Sequence, residues 1–116
     1  MKYLVLIADI DEFNPCKNSL GNLVEKEYKI NHMPAFDFSY NNHNCTVVCF
    51  GIGKVNAAMG AALALNYDEF DGVINTGWSG AVSGVFKGDI IVSDSCVECD
   101  FDLTPIGRLP GQKPGQ

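Results

Sequence analysis

Residues 45–76 read Cys45-Thr-Val-Val-Cys-Phe50, then Gly51-Ile-Gly-Lys54, then Val55-Asn-Ala-Ala-Met-Gly-Ala-Ala-Leu-Ala-Leu65 and, after a short polar stretch, Gly72-Val-Ile-Asn-Thr76. The outer pieces are short apolar runs that suit buried strands. The alanines of 55–65 favour helix, and the small residues there allow close packing on a sheet. Strand–helix–strand order implies parallel strands joined by a right-handed crossover, and hence an α/β fold.

Working outward, residues 2–8 (Lys-Tyr-Leu-Val-Leu-Ile-Ala) form a continuous apolar run, as expected of a strand buried on both faces. Residues 9–24 are acidic and then turn-rich, with Asn14-Pro15 and Gly21-Asn22. Residues 25–31 and 35–40 read as two antiparallel strands around a turn carrying His32 and Pro34. Lys87-Gly88-Asp89 reads as a turn before a strand at Ile90–Ser93, and the Gly- and Pro-rich end from Asp100 has no periodicity. A parallel sheet needs helices on both faces. The one strong helix, 55–65, cannot cover both faces of five or six strands. The 116 residues therefore read as part of one domain whose open face is covered by more chain or by a partner.

Composition narrows the class. With 47% apolar and 19% charged residues the chain is globular, able to bury roughly two-thirds of its surface. A net charge of −6 and a single arginine, Arg108, argue against a nucleic-acid partner. The run 2–8 is too short for a signal segment or a membrane span, so a cytoplasmic protein without a membrane partner is expected. The five cysteines are an odd number and fit poorly with a full disulfide framework. Cys45 and Cys49 would lie about 13 Å apart along a strand, too far for one metal ion. Cys96 and Cys99 have metal-like spacing without further ligands, so no metal is expected and the thiols read as free and buried.

Three motifs invite chemistry. Gly51-Ile-Gly53-Lys54 is not a phosphate loop: Val48 stands where the first glycine belongs, and Val55 where the magnesium-binding hydroxyl belongs. It remains a tight turn into a helix, with N–H groups that could meet an anion. Gly77-Trp78-Ser79-Gly80 follows a strand like a nucleophile elbow, yet Val82–Gly88 is too broken for the required helix and both histidines precede the serine. It is otherwise a glycine loop at the carboxyl end of a strand, where ligands of open α/β sheets bind. Asp9, Asp11 and Glu12 lie just beyond the first strand, either as a solvated loop or as carboxylates aimed into the same crevice, one serving as base.

Taken in order, Gly51–Ala58, Val73-Ile-Asn-Thr-Gly77, Lys87–Asp94, Asp100-x-Asp-Leu-Thr104 and Gly111-Gln-x-Pro-Gly115 resemble the methylthioadenosine/S-adenosylhomocysteine nucleosidases and, more broadly, the nucleoside phosphorylase superfamily. The resemblance covers nearly the whole chain and is weakest over 13–44. It implies a three-layer α/β/α fold around a mixed sheet, a homodimer, and hydrolysis of the N-glycosidic bond of a purine nucleoside without a cofactor. Other members, futalosine hydrolase and purine nucleoside phosphorylase, are the enzymatic alternatives. A non-catalytic nucleoside-binding or dimerising fragment is the third.

The resemblance gives Glu12 the role of base toward water. It places Asp9, Gly77, Trp78 and Ser79 by the ribose and the catalytic water, and Leu103 and Ile106 at the 5′-substituent pocket of the neighbouring subunit. Trp78-Ser79 replaces the Ser-Ala that close relatives carry, and Asp9 replaces an apolar residue. The acidic first loop, with no arginine before residue 108, favours water over phosphate as nucleophile. The family's ribose-binding Met-Glu segment and general-acid aspartate belong to a second half outside these 116 residues, so this chain alone is expected to be inactive.

Overall fold

The apolar N-terminal run forms β1 (Lys2–Ile7) at the inside of a mixed sheet. The computed structural model describes residues 1–98, 100, 102–110 and 112. Two compact units make up the chain, Met1–Gly80 and Ala81–Gln116.

In the first unit, β1 is followed by α1 (Ile10–Leu20), β2 (Val24–Ile30), β3 (Met33–Tyr40), β4 (His43–Cys49), α2 (Lys54–Tyr67) and β5 (Gly72–Thr76). The strand order is β2-β3-β4-β1-β5. β4 and β5 both run parallel to β1, which lies between them, so the expected parallel crossover through α2 skips one strand. The registers Ile7↔Cys49 and Ile7↔Thr76 bring the carboxyl ends of all three strands level.

β2, β3 and β4 form the antiparallel side. Asn41 and Asn42 both adopt left-handed φ (49° and 65°), and Tyr40 pairs with His43. This two-residue connection has the twist that suits a hairpin, and asparagine tolerates it. The β2–β3 turn is Asn31-His32, not a turn reaching Pro34 as the sequence suggests. Pro34 lies inside β3, one position before the β3–β4 ladder begins at Ala35↔Val48, where its missing N–H removes no bond to β4.

Strand alternation splits the core in two. Leu4, Leu6, Met33, Ala35 and Val48 face α2, joined by Phe50 and Ala64. Ile7, Phe36, Val47 and Cys49 face Phe13 of α1, with Cys16 and Leu20 packed alongside. The three-layer α/β/α arrangement follows. α2 comes close to the sheet at Gly60, where an added Cβ would fall 2.4 Å from Phe50 Cβ and 3.2 Å from Met33 Sδ.

Two further expectations are corrected. Residues 10–20, read as turn-rich, are helical, and α1 supplies the second covering layer. Residues 90–93, read as a strand, pair with nothing among the described residues, and Ile90 and Val92 are exposed. The two edges of the sheet also differ. β2 presents Glu25, Lys26, Glu27 and Lys29, whereas β5 is uncharged and exposes Val73 and Ile74.

The second unit has little regular structure among its described residues: a turn at Lys87-Gly88 and one 3-10 turn at Thr104–Ile106. No helix among the described residues is long and apolar enough to cross a membrane.

Candidate active site

α1 begins where β1 ends, and its first turn carries the acids. Asp9 is the N-cap: its backbone is extended, and its Oδ1 accepts from the Asp11 N–H at 3.0 Å. This satisfies a helix donor that otherwise has no partner within the helix. The backbone N–H groups of Glu12 and Phe13 both donate to the Asp9 carbonyl. Phe13 then turns into the core against Phe36, with ring centroids 5.2 Å apart. Glu12, one residue earlier, is carried around the helix toward β5.

There the Glu12 carboxylate meets the loop that leaves β5. Its Oε1 accepts from the Trp78 backbone N–H at 3.0 Å. Its Oε2 lies 2.6 Å from the point a Cβ on residue 77 would occupy, a position open only because residue 77 is glycine. A cavity of about 410 Å³ opens at this junction, lined by Ile7, Glu12, Pro15, Cys16, Ser19, Thr76, Gly77 and Trp78. It sits at the carboxyl ends of parallel strands, as expected for a ligand crevice in an open α/β sheet. One wall is the helix face Glu12, Pro15, Cys16 and Ser19, spaced as neighbours on a helix. Among the described residues, Glu12 is the only carboxylate in the lining, and no lysine or arginine lines it.

The sequence-predicted residues separate accordingly. Glu12, Gly77 and Trp78 come together, and the Trp78 indole is 76% exposed rather than turned into the core. Asp9 is engaged as a helix cap, and neither Asp9 nor Ser79 lines the cavity. Leu103 is half-buried and Ile106 exposed, both in the second unit. Pro15, Cys16, Ser19 and Thr76 were not singled out from sequence. The first three belong to the unrecognised helix, whose start was signalled by the Asp9 cap and by the acids after it.

The thiols near the site are held in their neutral form. Burial pushes the Cys16 thiol up. Burial also raises Cys49, with the Asp9 and Glu12 carboxylates adding to the shift and a hydrogen bond from the Gly51 backbone opposing it. Neither resembles an activated nucleophile, which needs the opposite shift. Cys96, expected to be buried, is exposed, and Cys99 lies outside the described residues, as do Gly111 and Gly115 of the last motif. No group of three or more His, Cys, Asp or Glu side chains able to hold a metal occurs among the described residues.

Known proteins resemble this chain in sequence and in fold. The family model of the phosphorylase superfamily matches residues 2–115. A 5′-methylthioadenosine/S-adenosylhomocysteine nucleosidase of Hydrogenovibrio crunogenus is 36% identical over 121 residues, covering 99% of this chain and 49% of that protein. The S-adenosylhomocysteine nucleosidase of Streptococcus pyogenes, solved with 5-methylthiotubericidin, superimposes with a TM-score of 0.80 at 31% identity, over 100% of this chain and 49% of that one. The S. pneumoniae 5′-methylthioadenosine/S-adenosylhomocysteine nucleosidase, solved with a transition-state inhibitor, gives 0.81 at 31% identity, over 100% and 50%. The chain thus spans about half the length of the curated relatives it matches.

Proposed function

The chain belongs to the phosphorylase superfamily, and from that membership we propose that the whole protein hydrolyses the N-glycosidic bond of a purine nucleoside, such as methylthioadenosine or S-adenosylhomocysteine, releasing adenine. The observation that carries this reading is the Glu12 carboxylate, held by the Trp78 N–H at the mouth of a cavity at the strands' carboxyl ends.

The chemistry suits those residues. As the bond from the sugar to the purine breaks, the ribose takes on oxocarbenium character. Water adds to that carbon and must lose a proton. A carboxylate beside it takes the proton and stabilises the developing positive charge. Glu12 is the base in this scheme, and the departing purine takes up a proton from an acid in the second half that the resemblance implies. The lining supports water over phosphate as nucleophile, since its described residues include a carboxylate and no cation. A phosphate dianion would need arginine or lysine there.

The remaining assignments belong to the same proposal. Trp78 borders the sugar, with Asp9 and Ser79 nearby. Leu103 and Ile106 serve the 5′-substituent pocket of a neighbouring copy in a homodimer of the methionine-salvage type. Residues 1–116 alone lack the general acid and turn over no nucleoside.

The test is product analysis with methylthioadenosine, in the presence and absence of phosphate, on the whole protein and on the 116-residue chain. Free adenine and free thioribose from the whole protein, independent of phosphate, support hydrolysis. A phosphorylated sugar appearing only with phosphate overturns it in favour of a phosphorylase.

A further inference from the structure

We propose that Gly77 is a positioning residue for Glu12: its bare α-carbon is the seat of the carboxylate, and the Trp78 amide beside it is the latch. The inference rests on the nucleosidase reading and deepens it, because it moves Gly77 from a contact with substrate to a contact with the base.

A glutamate on the first turn of a helix has three freely rotating bonds, and holding it in one pose has to be done by its surroundings. Here two adjacent main-chain features do so. The Trp78 N–H donates to Oε1 at 3.0 Å. The carboxylate carbon then lies 3.3 Å, and Oε2 2.6 Å, from where the first side-chain atom of residue 77 would stand. Among the described residues no lysine or arginine is paired with Glu12, and Trp78 is its one hydrogen-bond donor outside the helix backbone. The latch is built by the register Ile7↔Thr76, which aligns the exits of β1 and β5.

The geometry also separates position from stability. Gly77 is not among the glycines with left-handed φ, so alanine strains no backbone there. Among the described residues, the three atoms nearest that Cβ all belong to the Glu12 carboxyl group, the far end of a flexible side chain carried on the first turn of α1. The chain can relieve the clash by letting the carboxylate swing away. A displacement on the order of 1 Å at a reacting group slows catalysis about 100-fold. The fold loses little, while the base loses its place.

The experiment is a double-mutant cycle on the whole protein, with kcat, KM and melting temperature measured for wild type, Gly77→Ala, Glu12→Gln and the pair. Gly77→Ala is expected to lower kcat about 100-fold with KM changed less than about threefold. In the Glu12→Gln background the same substitution should lower the residual rate by less than twofold, since the group it acts through is already disabled. Melting temperatures of Gly77→Ala and wild type should agree within a few degrees. Equal losses in both backgrounds, or a loss confined to KM, would make Gly77 a structural or substrate-contact residue and overturn the proposal. An active wild type with an equally active Gly77→Ala would overturn it while leaving the nucleosidase reading intact. A wild type with no nucleosidase activity would overturn both.

Discussion

The Glu12 carboxylate accepts a 3.0 Å hydrogen bond from the backbone N–H of Trp78, 66 positions later in the chain. The bond is a product of sheet order. β1 and β5 are neighbours in register, so the segment after Ile7 and the segment after Thr76 leave the sheet side by side. A helix begins in the first and a glycine loop in the second, and the carboxylate spans the gap.

Replacing Glu12 by Gln keeps an acceptor for the Trp78 N–H and removes the ability to take a proton. The whole protein carrying Glu12→Gln should release adenine about 10²–10⁴-fold more slowly, with folding stability within about 0.5 kcal/mol of wild type. A chromatographic adenine assay and a urea titration check this. A rate within tenfold of wild type would place the base elsewhere.

Gly60→Ala sets two effects against each other. Alanine gains about 1 kcal/mol of helix propensity over glycine. Its Cβ, however, would stand 2.4 Å from Phe50 Cβ in the core. Overpacking of that kind costs about 1–3 kcal/mol. A net loss on the order of 1 kcal/mol is expected from urea unfolding, and a gain would show that α2 can lift off the sheet freely.

Asp37 accepts from both the Tyr28 hydroxyl at 2.7 Å and the Thr46 hydroxyl at 2.8 Å. Thr46 is only 3% exposed, so Asp37→Ala leaves a buried hydroxyl without an acceptor and should cost about 1–3 kcal/mol. Burial, with the Asp37 hydrogen bond second, raises the Tyr28 hydroxyl above its ordinary value near 10. The folded state therefore holds this proton where the unfolded chain has lost it. The stabilisation is complete below pH 10 and falls as pH rises above it. Tyr28→Phe should flatten that alkaline decline in urea titrations, and an unchanged slope would trace it to other groups.

The Asp9 cap holds the first turn of α1 in place. Asp9→Ala should cost about 1 kcal/mol and loosen the turn that carries Glu12. Hydrogen exchange at the Asp11 amide, whose acceptor is lost, should quicken more than exchange in β4. Uniform changes across both would argue against local fraying.

How far the sequence reveals this architecture depends on where each element's signal lies. β1, β4, β5 and α2 were legible because buried parallel strands and an alanine-rich helix announce themselves locally. α1 was hidden by Asn14-Pro15, which reads as a turn, although Phe13, Cys16 and Leu20 repeat at helical spacing and are its packed face. Missing that helix also hid the cavity wall of Pro15, Cys16 and Ser19. Ile90–Ser93 failed in the opposite sense: its apolar residues fit a strand, but a strand exists only with a partner, and the described residues offer none. The acidic cluster of Glu12 and the loop of Gly77 and Trp78 were legible as two strand exits facing one crevice, and the resemblance singled out Glu12 as the base. The hydrogen bond between them was not legible, since it depends on strand register across 66 positions.

The two edge strands of the described sheet carry unlike instructions. A row of charged side chains discourages a further strand, and an uncharged apolar one does not. β2, with Glu25, Lys26, Glu27 and Lys29, closes the sheet on its own side, whereas β5, with Val73 and Ile74 half exposed, leaves the opposite side receptive.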